Sequence, residues 1–306
     1  HYTFAGGAPG LRFEGEDGSA VVMRDLKVEA DQTRPFADVP MFYTGPMKMS
    51  VAEVNVREVG EEAELARLGG ISFEGLTPMQ GDYIDMASRI GIEKVVVAGD
   101  NYGPVHYELS LKHLHAPSIA SLYDAIMKTY THPQAEDMLE QMKADPNGPF
   151  TELLRHDPEF SLDRISFMTP HGESRLSASV RLKGAQDEDF ANPLMLLAKL
   201  DARAEARLPE ALVMMAAILD ESASLVQGVA ALESEGYIRN EGGMLSIKAR
   251  FAQGQLSLNG KPFDPMAVGA MMAPAEGGAA LEEGHVYGEG AAEYADLYQG
   301  GAATAD

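Results

Sequence analysis

At 306 residues the chain can form one large β-rich unit or two ordinary domains, and its 45% apolar share is that of a protein with a packed core. Its 47 acidic residues outnumber 24 Lys and Arg, a formal charge of −23, which repels phosphate backbones and excludes nucleic acid as an expected partner. The absence of cysteine excludes disulfides, thiolate catalysis and Cys-based zinc sites. No run of about 18 apolar residues spans the sequence, so no membrane helix is expected within it.

The first 115 residues read as successive strands. Leu11 and Phe13 alternate with Arg12 and Glu14 before a turn at residues 15–18. Val22, Leu26, Val28 and Ala30 share one parity. Met47, Met49 and Val51 share another, followed by Val54 and Val56 after a phase slip that predicts a bulge near Glu53. Ile71, Phe73, Ile90, Ile92 and Val95 to Val97 extend the series. After Tyr102 comes the clearest alternation, with Val105, Tyr107, Leu109 and Leu111 against His106, Glu108, Ser110 and Lys112. Strands at this spacing without intervening helices predict an antiparallel meander.

The character changes at Ala116-Pro117. Ile119, Leu122, Ile126 and Met127 at helical spacing predict a helix opened by Pro117, and Met138, Leu139 and Met142 predict a second over 135–143. After the break at 145–149 a further turn is expected from Phe150 to Leu154. Strands resume with Phe160, Leu162, Ile165 and Phe167, then with Leu176, Ala178, Val180 and Leu182. Helices are predicted over 189–197, from Pro209 through Leu219, and on to about Leu232, with a strand of small apolar residues between Leu200 and Leu208. Strands over 244–252 and 255–258 end on the tight-turn signal Asn259-Gly260. From Pro265 the chain is rich in Gly and Ala, carries acids and lacks Lys and Arg, which predicts a flexible tail.

The expected fold class is therefore α+β: a predominantly antiparallel β-sheet, an extended meander, with helical inserts packed on one face. The expected divisions are an N-terminal meander over 1–115, helical hairpins plus continuing sheet over 116–264, and the acidic tail over 265–306. An open sheet has two edges, so a homo-oligomer is a further expectation.

Few residues suggest chemistry. His113 and His115 form an H-x-H at a strand end, a spacing that can bring two imidazoles to one metal, whereas His106, His132, His156 and His171 have no such spacing. A surface role is the commoner fate of such a pair, and no metal, cofactor or catalytic residue is assigned. Glu61-Glu62, Asp187-Glu188-Asp189 and Glu282-Glu283 read as solvated turns or helix starts. There is no G-x-S-x-G elbow, and Gly69-Gly70, Gly242-Gly243 and Gly277-Gly278 match neither phosphate-binding pattern. Gly242-Gly243 reads as a hairpin connection. Met214-Met215 can line a lipid groove but reads first as core packing.

Three segments together resemble the YdgA-like family of bacterial envelope proteins. They are YGPVHYELSLKHLHAP at 102–117, VRLKG at 180–184 with NPLMLLAKL at 192–200 and Leu208-Pro209, and GYI at 236–238 with GQLSLNGKP at 254–262. His115 stands where that family usually has Asp, so no role for that acid carries over. The resemblance implies a domain of unknown function, periplasmic and tethered to the inner membrane by an N-terminal anchor preceding His1, and it brings no catalytic residues. The function expected is thus a non-enzymatic envelope protein, a binding or scaffold module for an envelope partner. The alternatives are a carrier of lipid or another hydrophobic ligand in a curved sheet groove, and an unrecognised hydrolase.

Overall fold

The structure is a computed structural model that describes residues 1–16, 18–39, 42–57, 64–129, 145, 147–219 and 223–264. The period-2 segments become strands β1 (Tyr2–Glu14), β2 (Ala20–Gln32), β3 (Gly45–Arg57), β4 (Glu64–Thr77), β5 (Met79–Gln80), β6 (Tyr83–Val97), β7 (Asp100–Tyr102) and β8 (Val105–His115). After the first helices come β9 (Glu159–Thr169), β10 (Gly172–Leu182), β11 (Leu200–Pro209), β12 (Arg239–Glu241), β13 (Met244–Ala252), β14 (Gln255–Leu258) and β15 (Lys261–Pro262). The helices are α1 (Ala116–Thr129), α2 (Pro149–Arg155), α3 (Asp187–Phe190), α4 (Pro193–Lys199), α5 (Glu210–Leu219) and α6 (Ala223–Ser234). The expected helix over 135–143 lies outside the described residues, as does everything beyond 264.

The strands form one antiparallel sheet in the order β1-β2-β3-β4-β6-β8-β9-β10-β11-β13-β14-β15. Short β5 and β7 pair with β6, and β12 pairs with β13. The long strands follow sequence order, so the meander is as the alternation predicts, and helices occupy the connections after β8, β10 and β11. Pro9 lies in the edge strand β1, between the paired Ala8 and Gly10, and itself has no partner on β2.

Directly opposed residues share a face, so the register sorts the side chains. One row runs Val28, Met49, Phe73, Ile90, Tyr107, Ile165, Leu176, Ala206 and Ile247 across nine strands. The adjacent row includes Phe4, Ala30, Met47, Leu109, Leu162, Ala178, Ala204, Ala249 and Leu258. The opposite face carries Glu29, Lys48, Glu74, Arg89, Glu108 and Arg164 on consecutive strands, charges alternating at every step. Lys48 Nζ lies 3.6 Å from Glu74 Oε1, and Arg164 reaches Glu173 at 2.7 Å, a hydrogen bond that lowers the Glu173 carboxyl pKa. Each exposed pair is worth only a few tenths of a kcal/mol to about 1 kcal/mol. A slip by one residue would put every charge on the apolar face, so the ladder pins the register.

The predicted bulge near Glu53 is not where the register breaks. The register of β3 with β2 and β4 is unchanged there, although Ala52 pairs with neither strand, and the shift lies between Val56 and Arg57. Asp25 and Gly70, on the flanking strands, instead take positive φ of 52° and 63°. The apolar parity therefore changes while the register does not.

The strand β3 begins at Gly45, whose φ is +125°, and a Cβ there would fall 2.1 Å from the Asp31 carbonyl oxygen. Gly10 has an ordinary φ and only a 3.7 Å neighbour. Gly45→Ala is therefore expected to cost about 2 kcal/mol or more, and Gly10→Ala less than about 0.5 kcal/mol, in denaturant unfolding followed by circular dichroism. Equal midpoints for the two variants would refute the backbone clash.

A small core sits where the helices meet the sheet. Phe42, Ile84 and Ala116 are buried together, with Phe36, Val39, Met86, Ile119 and Tyr123 packed against them. The Ala116 N–H donates to the Asp82 carbonyl at 2.7 Å, which ties the start of α1 to the turn before β6.

Candidate functional site

Two features stand out among the described residues: a histidine cluster at the end of β8 and an apolar depression on the sheet. The cluster begins with register. Tyr83 of β6 opposes His115 of β8, and a register shift between Ile84 and Met86 turns the end of β8, where His113 takes φ +57°. Leu114, between the two histidines, is buried against the sheet. The predicted H-x-H therefore does not act as a pair. The His113 ring stacks on Tyr83 at 4.1 Å and donates from Nδ1 to the His156 carbonyl at 2.7 Å.

His115 instead stacks on His156, their centroids 3.9 Å apart. Helix α2 explains the encounter: Gly148 precedes it, Pro149 opens it, and Glu152 and His156 sit one turn apart on one side. His156 Nε2 donates to Glu152 Oε1 at 3.2 Å, so Nδ1 accepts from the Tyr83 hydroxyl at 3.2 Å. His115 Nδ1 is paired with Ser118 Oγ at 2.7 Å. Arg155 Nη1 donates to Glu152 Oε2 at 2.7 Å, while its Nε donates to Asp187 at 2.8 Å.

Electrostatics follow from this packing. Desolvation by burial, then the neighbouring His156, lower the His115 pKa from its ordinary value, against a smaller raising pull from Glu152 and Asp82. The hydrogen bond from Arg155 lowers the pKa of Glu152. Ligand atoms of His115, Glu152 and His156 all lie within 4.8 Å of one another.

The depression lies on the apolar face. Ala178, Ala202, Ala204 and Ala249 form its floor, and Leu109, Phe160 and Leu162 on one side and Phe251 and Leu256 on the other form its rim. Its volume is about 510 Å³, and among the described residues the polar ones along it are Ser161, Ser179 and Arg203. From β9 to β14 the neighbouring-strand spacing gives a reach of about 19 Å. The face is open: Phe4, Ile90, Tyr107, Phe160, Phe167 and Leu176 keep 39–52% of their surface exposed. A second cavity, of about 530 Å³, is lined by Lys183, Lys199, Asp201 and Arg250 among others, where Lys199 already contacts Asp189 and the Gly184 carbonyl.

Residues 1–266 match the family model described as "Bacterial protein of unknown function (DUF945)". The chain belongs to that family. No curated protein matches it. The description assigns no activity, so the family match identifies kin and leaves the chemistry to the residues.

The other sequence candidates scatter. His106 pairs across to Gly91 and Ser166 in mid-sheet, and His171 sits in the β9–β10 turn. Asp187 serves Arg155, and Asp189 is buried, bonding back to the Gln186 N–H in a capping box. Gly242 and Gly243, at φ 62° and 77°, form the β12–β13 hairpin connection as read. His132, Glu61, Glu62, Glu282 and Glu283 lie outside the described residues. Tyr83, Glu152 and His156 were missed as a group. Glu152-x-x-x-His156 is a helical i,i+4 donor pair, and that spacing was the available signal.

Proposed function

We propose that the chain is a non-catalytic protein of the bacterial cell envelope that binds one extended hydrocarbon chain, the acyl chain of a lipid, across its open sheet face. The single observation that carries this is the alanine-floored depression between β9 and β14. Its volume falls within the roughly 300–1,000 Å³ of small-molecule sites. Its apolar lining offers a hydrocarbon dispersion contact and release of water, and gives a polar ligand almost nothing to bond. Every described lining residue belongs to a strand, which favours helical connections packed away from this face. The periplasmic address rests on the resemblance of residues 102–262 to the YdgA-like family.

A second reading, a scaffold for an envelope protein, is favoured by the helices α4 and α5. They expose Leu194 by 74%, Met195 by 48% and Ile218 by 63%, more than isolated surface apolar residues require. The two readings separate in one experiment. The full chain, delipidated, is titrated with a fluorescent fatty acid and then with unlabelled oleate. Saturable one-to-one uptake that oleate reverses is the expected result. Absence of saturable uptake would overturn the lipid reading and leave the scaffold.

A further inference from the structure

We propose that His115, Glu152 and His156 form a binding site for a divalent first-row transition metal, zinc foremost, independent of the apolar depression. Two imidazoles and one carboxylate are a donor set that zinc takes in sites with an open fourth position. The donors come from two rigid supports, the end of β8 and one turn of α2 with its cap, and converge within 4.8 Å. Tetrahedral zinc with ligands at about 2.0–2.2 Å needs donor atoms roughly 3.3 Å apart and in the plane of each ring, so closure asks for about 1.5 Å of approach and for one imidazole to turn out of the His115–His156 stack.

Each donor also has a second contact that aims it. His115 Nδ1 is held by Ser118, leaving Nε2 as its ligand atom. His156 Nδ1 is held by Tyr83, and its Nε2 faces Glu152. Glu152 Oε2 is held by Arg155, which is itself anchored on Asp187, so Oε1 remains for the ion. Such outer partners fix ring orientation and tautomer in metal sites. On binding, the His156 proton moves from Nε2 to Nδ1, which then donates to the Tyr83 hydroxyl oxygen, so the Nε2 lone pair is freed for the ion and the imidazole stays neutral. The ligands are partly exposed, with side-chain exposure of 27% at His156 and 43% at Glu152, so the site has an entry path. A chain of formal charge −23 raises the local cation concentration around it. The bound ion would staple α2 to the end of β8.

The test uses the untagged full chain stripped of metal and titrated with Co(II), then Zn(II). One Co(II) per chain with visible d–d absorption of a low-coordinate site, displaced by Zn(II), is expected. Glu152→Gln, His115→Ala and His156→Ala should each weaken binding at least tenfold, and His106→Ala should leave it unchanged. In the wild-type chain, substoichiometric Co(II) should broaden the imidazole NMR signals of His115 and His156 before those of His106 and His171, a readout that needs no variant to fold. No saturable stoichiometric binding, or broadening spread evenly over the histidines, would overturn the proposal.

Discussion

Ile84→Ala should destabilise the fold by about 2–5 kcal/mol, read as a fall in the denaturant midpoint. Ile84 and Leu114 are each 1% exposed and stand opposite each other across β6 and β8. Phe42 and Ala116 close over Ile84, and Met86, Ile119 and Tyr123 pack around them, so removing its outer carbons leaves a void that rigid neighbours cannot fill. The sheet elsewhere has one open face and little comparable burial, which makes this junction the place where a single truncation costs most. Leu194→Ala, at a position 74% exposed, should move stability by less than about 0.5 kcal/mol. An Ile84→Ala cost below about 1 kcal/mol would mean that the junction relaxes and is not the anchor of the helices. The same void lies beside Tyr83 and below Leu114, the residue between His113 and His115. Ile84→Ala should therefore also weaken Co(II) uptake, although it removes no ligand.

The sheet was legible because the alternation is local. Val105 to Leu111 reads as a strand whatever its neighbours are, and successive strands without long connections can only pair antiparallel in order. Helices were legible where Pro and apolar spacing coincide, as at Pro117. Boundaries were less so: one helix expected over 189–197 is two, α3 and α4, because Asn192 caps a new start at Pro193 through its bond to the Leu194 N–H. The register shift expected near Glu53 does not occur there because the flanking strands carry matching irregularities, Asp25 and Gly70 at positive φ, so the register is kept while Ala52 loses its partners.

The histidine cluster was half legible. The spacing of His113 and His115 drew attention to the right strand end, but φ at His113 sends that ring to Tyr83. The true neighbour of His115 is 41 residues away in sequence, brought in by α2 and the β8–β9 connection, and no local pattern encodes that distance. The depression was less visible still. Alanines at 202, 204 and 206 read as a weak strand, and only the register with Ala178 and Ala249 shows that small side chains from three strands meet. Whether small residues make a floor or a tightly packed core depends on what covers them, which is a property of the fold.

Ala204→Phe is expected to weaken hydrocarbon uptake, lowering the affinity for a fluorescent fatty acid at least tenfold, or about 1.4 kcal/mol. Ala204 is at the centre of the floor, opposed by Ala178 on β10 and Ala249 on β13. A benzyl group there occupies the space between Leu162 and Phe251 that the ligand needs, yet it adds only apolar surface to an apolar face. The fold should tolerate it, since the added ring points into an open depression and meets no packed core. Ala204→Asp tests the same point by chemistry, because a seated hydrocarbon would strip water from an unpaired carboxylate, a cost of several kcal/mol. Glu205→Gln, one residue along and on the opposite face beside Lys248, should bind as the wild type does. If Ala204→Phe and Ala204→Asp both bind fatty acid normally, the ligand does not lie across β11. The exposed faces of α4 and α5 then become the surface to probe with protein partners.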